Sequence, residues 1–107
     1  MTRRSLIVAR ILPGSEKKVA EIFARSDATE LPSLAGVRHR SLFVLEDLYA
    51  HLIESDGDLR GGVGDLRGHP LFQEVSRALE PYIQPYNPAT WRSPTDAFAR
   101  EIYSFDP

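Results

Sequence analysis

The chain has 107 residues, enough for one hydrophobic core and too few for two, so a single domain spanning residues 1–107 is expected. Apolar residues make up 42% and charged residues 26%, a balance typical of globular proteins that excludes disordered, collagen-like and coiled-coil classes. The formal net charge of -2 and the absence of cysteine remove the electrostatic basis for a nucleic-acid partner, and with it disulfides, thiolate metal sites and cysteine nucleophiles.

In chain order, the basic start Met1-Thr2-Arg3-Arg4 leads into Ser5 to Leu12 (SLIVARIL). This run of β-branched and aliphatic side chains predicts a first strand, ended by the turn signal Pro13-Gly14. Arg10 and Pro13 interrupt the run and no small-residue cleavage site follows, so no signal peptide is expected. No apolar stretch approaches the roughly 20 residues of a membrane helix, and a cytoplasmic location is the expectation. Ser15 is placed to cap the next helix, in which Val19, Ile22, Phe23 and Ser26 recur at helical spacing and form one buried stripe.

Leu31-Pro32 and Gly36 break the chain into a connection before Val37 to Leu45 (VRHRSLFVL), the second predicted strand, and Tyr49 to Ser55 (YAHLIES), the third. The few residues around Glu46-Asp47 require an antiparallel hairpin, because a parallel crossover takes about a dozen residues or more. From Asp56 to Gly68 the chain repeats Asp-Leu-Arg-Gly and places five glycines in twelve positions, which predicts a frayed helix or a mobile loop. His69-Pro70 opens a second long helix carrying Leu71, Phe72, Val75 and Leu79, limited by Pro81 and Pro85. Pro85 to Pro94 is too proline-rich for regular structure, and Ala99 to Phe105 (AREIYSF) reads as the last strand.

Strand, helix, strand, strand, helix, strand is the ferredoxin-like βαββαβ order, an α+β fold with helices on one face of an antiparallel sheet. The face without helices then needs a partner subunit, a ligand or both. A two- or four-residue hairpin loop puts Leu42 opposite His51 with Arg40 diagonally beside it, so that Arg40, Leu42, Val44, Tyr49, His51 and Ile53 share one face, which we expect to be that open one. Imidazole exchanges protons near neutrality, which makes His51 the leading candidate for proton transfer; the alternative is a hydrogen-bonded sheet histidine. The Arg40 guanidinium is suited to stabilising an enolate or phenolate, the alternative being a surface arginine paired with Glu54. His39 points to the opposite face and His69 belongs to the helix start. The three histidines match no zinc spacing and Glu54 to Asp58 lacks the calcium-loop pattern, so no metal is expected, and Gly62-Val63-Gly64 is short of a dinucleotide fingerprint.

Several segments in order resemble the tetracenomycin-type family of aromatic polyketide cyclases: Phe23-Ala24, Asp27, Thr29-Glu30-Leu31-Pro32, Gly36-Val37-Arg38, Arg40, Leu42-Phe43, Asp47-Leu48-Tyr49, His51-Leu52-Ile53-Glu54 and His69-Pro70-Leu71-Phe72-Gln73-Glu74-Val75. Pro88-Ala89-Thr90-Trp91-Arg92-Ser93-Pro94 is similar to the spore-pigment members. The resemblance implies a homodimer of the dimeric α/β barrel type with a cavity in each subunit. It also implies a cofactor-free intramolecular aldol condensation and dehydration of a poly-β-ketone-derived intermediate, free or bound to a carrier protein, with contacts to other polyketide synthase components. On this resemblance His51, Arg40 and Asp27 are the catalytic positions, and Ser26, Leu42, Tyr49, Ile53 and Trp91 are expected to contact substrate. Some members have a histidine before that aspartate and an aspartate after it, where this chain has Ser26 and Ala28. Two other activities fit the same scaffold: a cofactor-free monooxygenase of anthrone-like polyketides, and a subunit that shapes the chain without chemistry of its own.

Overall fold

A computed structural model describes residues 2–57, 66–92 and 94–107, the side chains of 94 and 95 excepted. The glycine-rich stretch, with the Asp-Leu-Arg-Gly echo and Gly62-Val63-Gly64, falls mostly outside the described residues. Strand β1 (Arg3–Ile11) is followed by helix α1 (Glu16–Asp27) and a short helix α2 (Leu31–Ala35). Strands β2 (Val37–Leu45) and β3 (Leu48–Ser55) form the hairpin, and helix α3 (Pro70–Leu79), strand β4 (Ile83–Pro85) and a 3-10 turn (Pro94–Ala97) complete the fold. The sheet is antiparallel throughout, in the order β2-β3-β1-β4.

The hairpin register is the expected one. Leu45 pairs with Leu48, leaving Glu46-Asp47 as a two-residue loop, and Leu42 stands opposite His51. Glu46 adopts the left-handed conformation (φ 55) that tight hairpin turns demand. A bulge between Val37 and His39 keeps Arg40 opposite Ile53 and turns His39 outward, where it bonds Ser41.

Burial along β3 alternates strictly, with Tyr49, His51, Ile53 and Ser55 buried. Period two explains the alternation; the face that is buried differs from expectation. Helix α1 lays Val19, Ile22 and Phe23 over the side of the sheet that carries Ile7, Ala9, Tyr49 and His51, so the Arg40–His51 face lies beneath the helices. The other face leaves Leu6, Phe43 and Leu45 exposed.

Three local readings change. Leu31-Pro32 starts α2 instead of a plain connection: proline is tolerated in the first helical turn, and Gly36 closes the helix at φ 70. Ser15 sits at the N-cap position of α1, but its hydroxyl donates back to the Leu12 carbonyl and caps nothing. The last strand is Ile83–Pro85, not Ala99–Phe105. Pro85 fits there because β4 is an edge strand, where a missing N–H is harmless. The C-terminal segment only begins to pair: Phe98 bridges Ile7 and the Ala99 amide donates to the Leu6 carbonyl at 2.7 Å, after which residues 99–107 run exposed. His69 does start α3, its Nδ1 accepting from the Leu71 amide at 3.1 Å.

Candidate active site

A cavity of about 290 Å³ lies between the helices and the sheet. Its walls are largely apolar, from Ile7 and Ile53 of the sheet, Phe23 of α1, and Phe72, Val75 and Leu79 of α3. The polar groups enter from neighbouring strands and the end of α1.

Asp27 is the last residue of α1, one turn beyond Phe23, so the stripe that buries Phe23 also delivers the carboxylate to the cavity rim. Arg40 reaches it from β2 with a two-point fork, Nε to Oδ2 at 3.1 Å and Nη2 to Oδ1 at 2.9 Å. This replaces the pairing with Glu54 considered from the sequence. The third arm of the guanidinium, Nη1, donates to His51 Nε2 at 2.8 Å. Arg40 also stacks over the Phe23 ring at 5.0 Å, and Phe23 meets His51 edge-on at 5.0 Å.

These contacts set the state of His51. A guanidinium can only donate, so Nε2 must accept, and the imidazole proton lies on Nδ1. Burial, reinforced by the Arg40 charge, pushes the His51 pKa down from 6.5 to about 3. The imidazole is therefore neutral at physiological pH. His51 is 5% exposed and Nδ1 has no hydrogen-bond partner among the described residues, yet no sealed polar atom lacks one there, so Nδ1–H opens on the cavity.

Asp27, Arg40 and His51 are thus brought together as one connected chain. Of the residues named for substrate contact, Ser26, Tyr49, Ile53 and Trp91 line the cavity, Trp91 being 37% exposed. Leu42 does not: it packs against the core cluster of Ala9, Ile11, Val19 and Tyr49, beyond the cavity wall. Phe23, Phe72, Val75 and Leu79, read from the sequence as helix stripes and not as site residues, all line the cavity. Phe23 carried a usable signal, standing four residues before Asp27. Among the described residues no group of three His, Asp or Glu side chains converges to hold a metal ion.

The fold and site define a small α+β protein with a largely apolar cavity whose wall carries a guanidinium–imidazole pair, the guanidinium held by a carboxylate beside it. The family model for polyketide synthesis cyclase matches residues 3–106. A polyketide synthase protein, CurG, of Streptomyces cyaneus is 45% identical over 102 residues, covering 95% of each chain. Tetracenomycin F2 cyclase of Streptomyces glaucescens is 44% identical over 105 residues, covering 98% of this chain and 95% of that one. Its solved structure, described as a type-II polyketide cyclase, superposes with a TM-score of 0.92 over 98% of both chains. A further relative, from Streptomyces coelicolor, is 53% identical over 103 residues, covering 95% of this chain and 93% of its own. The chain belongs to the polyketide synthesis cyclase family and is an enzyme of polyketide cyclisation.

Proposed function

We propose that this protein closes a ring on an aromatic polyketide precursor by intramolecular aldol condensation and dehydration of a poly-β-ketone-derived intermediate, without a cofactor. The observation that carries this reading is the Arg40–His51 pair in the wall of a largely apolar cavity, with Asp27 holding Arg40 from outside the lining. A methylene between two carbonyls is already acidic, so the protein's main tasks are to hold one reactive fold of a flexible chain and to stabilise the enolate. Orientation of that kind contributes up to about 7 to 11 kcal/mol.

Arg40 meets the second need. Asp27 and His51 occupy three of its N–H bonds, fixing the plane of the guanidinium and leaving two for an enolate oxygen. Asp27 orients the arginine; both its oxygens are engaged by it. His51 contributes a neutral Nδ1–H, a donor to substrate oxygen that keeps its charge state through the reaction. Ser26, Ile53 and Trp91 shape the cavity around the chain.

The same reading includes a cytoplasmic enzyme that works as a homodimer beside polyketide synthase components and takes free or carrier-bound substrate. No helix among the described residues is long and apolar enough to cross a membrane. The homodimer is supported by the sheet face opposite the helices, with Phe43 56% and Leu45 71% exposed, and by the C-terminal segment, with Ile102 87% and Tyr103 78% exposed. The direct test of function is product analysis of a reconstituted polyketide chain with and without the protein. The expected result is one ring pattern with wild type and a mixture of spontaneous products without it. Identical mixtures would overturn the reading, and oxygen consumption during turnover would assign the monooxygenase instead.

A further inference from the structure

β3 presents a second polar group to the cavity, two residues before His51. Tyr49 is 3% exposed, with its ring edge-on to His51 at 6.1 Å and its body in the core cluster of Ala9, Ile11 and Val19. Its hydroxyl has no hydrogen-bond partner among the described residues, and since no sealed polar atom lacks one there, the oxygen reaches the cavity surface. Phenylalanine would fill the same core position, so packing alone does not account for an oxygen at the cavity surface.

Ring closure develops charge on two oxygens. The enolate oxygen carries it first, and the oxygen of the attacked ketone carries it as the new bond forms. Arg40 and His51 form one donor set. Tyr49, on the same strand face but outside their hydrogen-bonded chain, supplies a separate one. We propose that Tyr49 is a further catalytic residue, its O–H donating a hydrogen bond to the ketone oxygen that becomes the alkoxide. This rests on the cyclase reading above and names the group that serves its electrophile.

In the step itself the enolate carbon forms the C–C bond, and the π electron pair of the ketone moves onto its oxygen. The methylene gives its proton to solvent and solvent returns one to the new alkoxide; dehydration then breaks that C–O bond with loss of a second proton from the same α-carbon, so that C=C forms and water leaves. Tyr49 keeps its own proton throughout. Burial holds its pKa above the ordinary phenol value, outweighing the Arg40 charge that pulls it down, so it acts as a donor and not as a base.

The test is Tyr49→Phe, which removes one oxygen and keeps the ring. The expected result is an unchanged or raised thermal midpoint and a kcat for ring closure about 100-fold lower, with KM nearly unchanged. Wild-type kcat, or a lower thermal midpoint with wild-type kcat, overturns the proposal by making Tyr49 a packing residue. A second measurement uses 2-acetylnaphthalene, an aryl ketone that cannot cyclise. Its bound carbonyl stretch should lie at lower wavenumber in wild type than in the variant, and equal wavenumbers overturn the donor role. A wild type that cyclises nothing overturns the cyclase reading itself, a result distinct from an active wild type with an equally active variant.

Discussion

Acidification from pH 7 to pH 5 should weaken the fold through His51. The unfolded imidazole titrates near about 6.5, whereas burial and the Arg40 charge push it down to about 3 in the folded protein. Between those values the unfolded chain binds a proton that the native chain refuses. Stability is therefore complete above the unfolded value and declines as pH falls towards the native one. Integrating the proton difference from pH 7 to pH 5 gives about 2 kcal/mol, and any native value below about 4 gives nearly the same figure, because the folded imidazole is then already neutral at pH 5. The group is 5% exposed, so solvent screening does not erode the effect. Urea unfolding of wild type and His51→Gln at both pH values measures it: glutamine keeps a carbonyl oxygen for Arg40 but does not titrate, and every other ionisable group cancels between the two proteins. Wild type should lose about 2 kcal/mol more than the variant on acidification. Equal losses would mean that His51 is not held neutral, and its role as a neutral donor would fall with that.

Arg40→Ala removes the fork to Asp27 and the bond to His51 together, so ring closure followed by product chromatography should fall about 100-fold or more. In the same variant, NMR titration should find His51 protonating at higher pH than in wild type, since one of the two causes holding it down is gone; an unchanged titration would uncouple the two side chains. Leu42→Ala should lower stability by about 2 kcal/mol while leaving the ring pattern intact, because Leu42 packs on the core and not on the cavity. An altered ring pattern would return it to the substrate contacts. On the proposed homodimer, Phe43→Glu should give a monomer of half the wild-type mass by light scattering, with circular dichroism preserved; a monomeric wild type would refute the dimer, and a variant that keeps a dimer's mass would place the interface elsewhere.

The element order and the β2–β3 register were legible because both follow from local chemistry. Period two and a two-residue loop fix which side chains stand opposite, and they put Leu42 across from His51. Neither rule says which face of the sheet meets the helices. On apolarity alone, Leu48, Ala50 and Leu52 make a better core than Tyr49, His51 and Ser55, yet the second set lies under α1. The deciding contacts are long-range: Asp27 and Phe23 cross from α1 to Arg40 and His51, and no window of local sequence contains them. The last strand was missed for a related reason. Ile83–Pro85 is too short to show a period, and its place on the edge of β1 is set by tertiary pairing, while the better β composition of Ala99–Phe105 finds no full partner among the described residues.

The positions beside Asp27 bear on the chemistry in the same way. Ser26 and Ala28 depart from the pattern that the family resemblance implied at these positions, but the hydrogen-bonded chain from Asp27 through Arg40 to His51 closes without either. Both Asp27 oxygens are committed to Arg40, and the neutral imidazole leaves only its Nδ1–H to the substrate. The site therefore offers fixed hydrogen-bond donors and one held cation around a largely apolar volume, with its imidazole held neutral by burial and the Arg40 charge. An acidic β-diketone supplies its own proton to the reaction, and for such a substrate an arrangement that positions the chain and stabilises oxygen charge is sufficient.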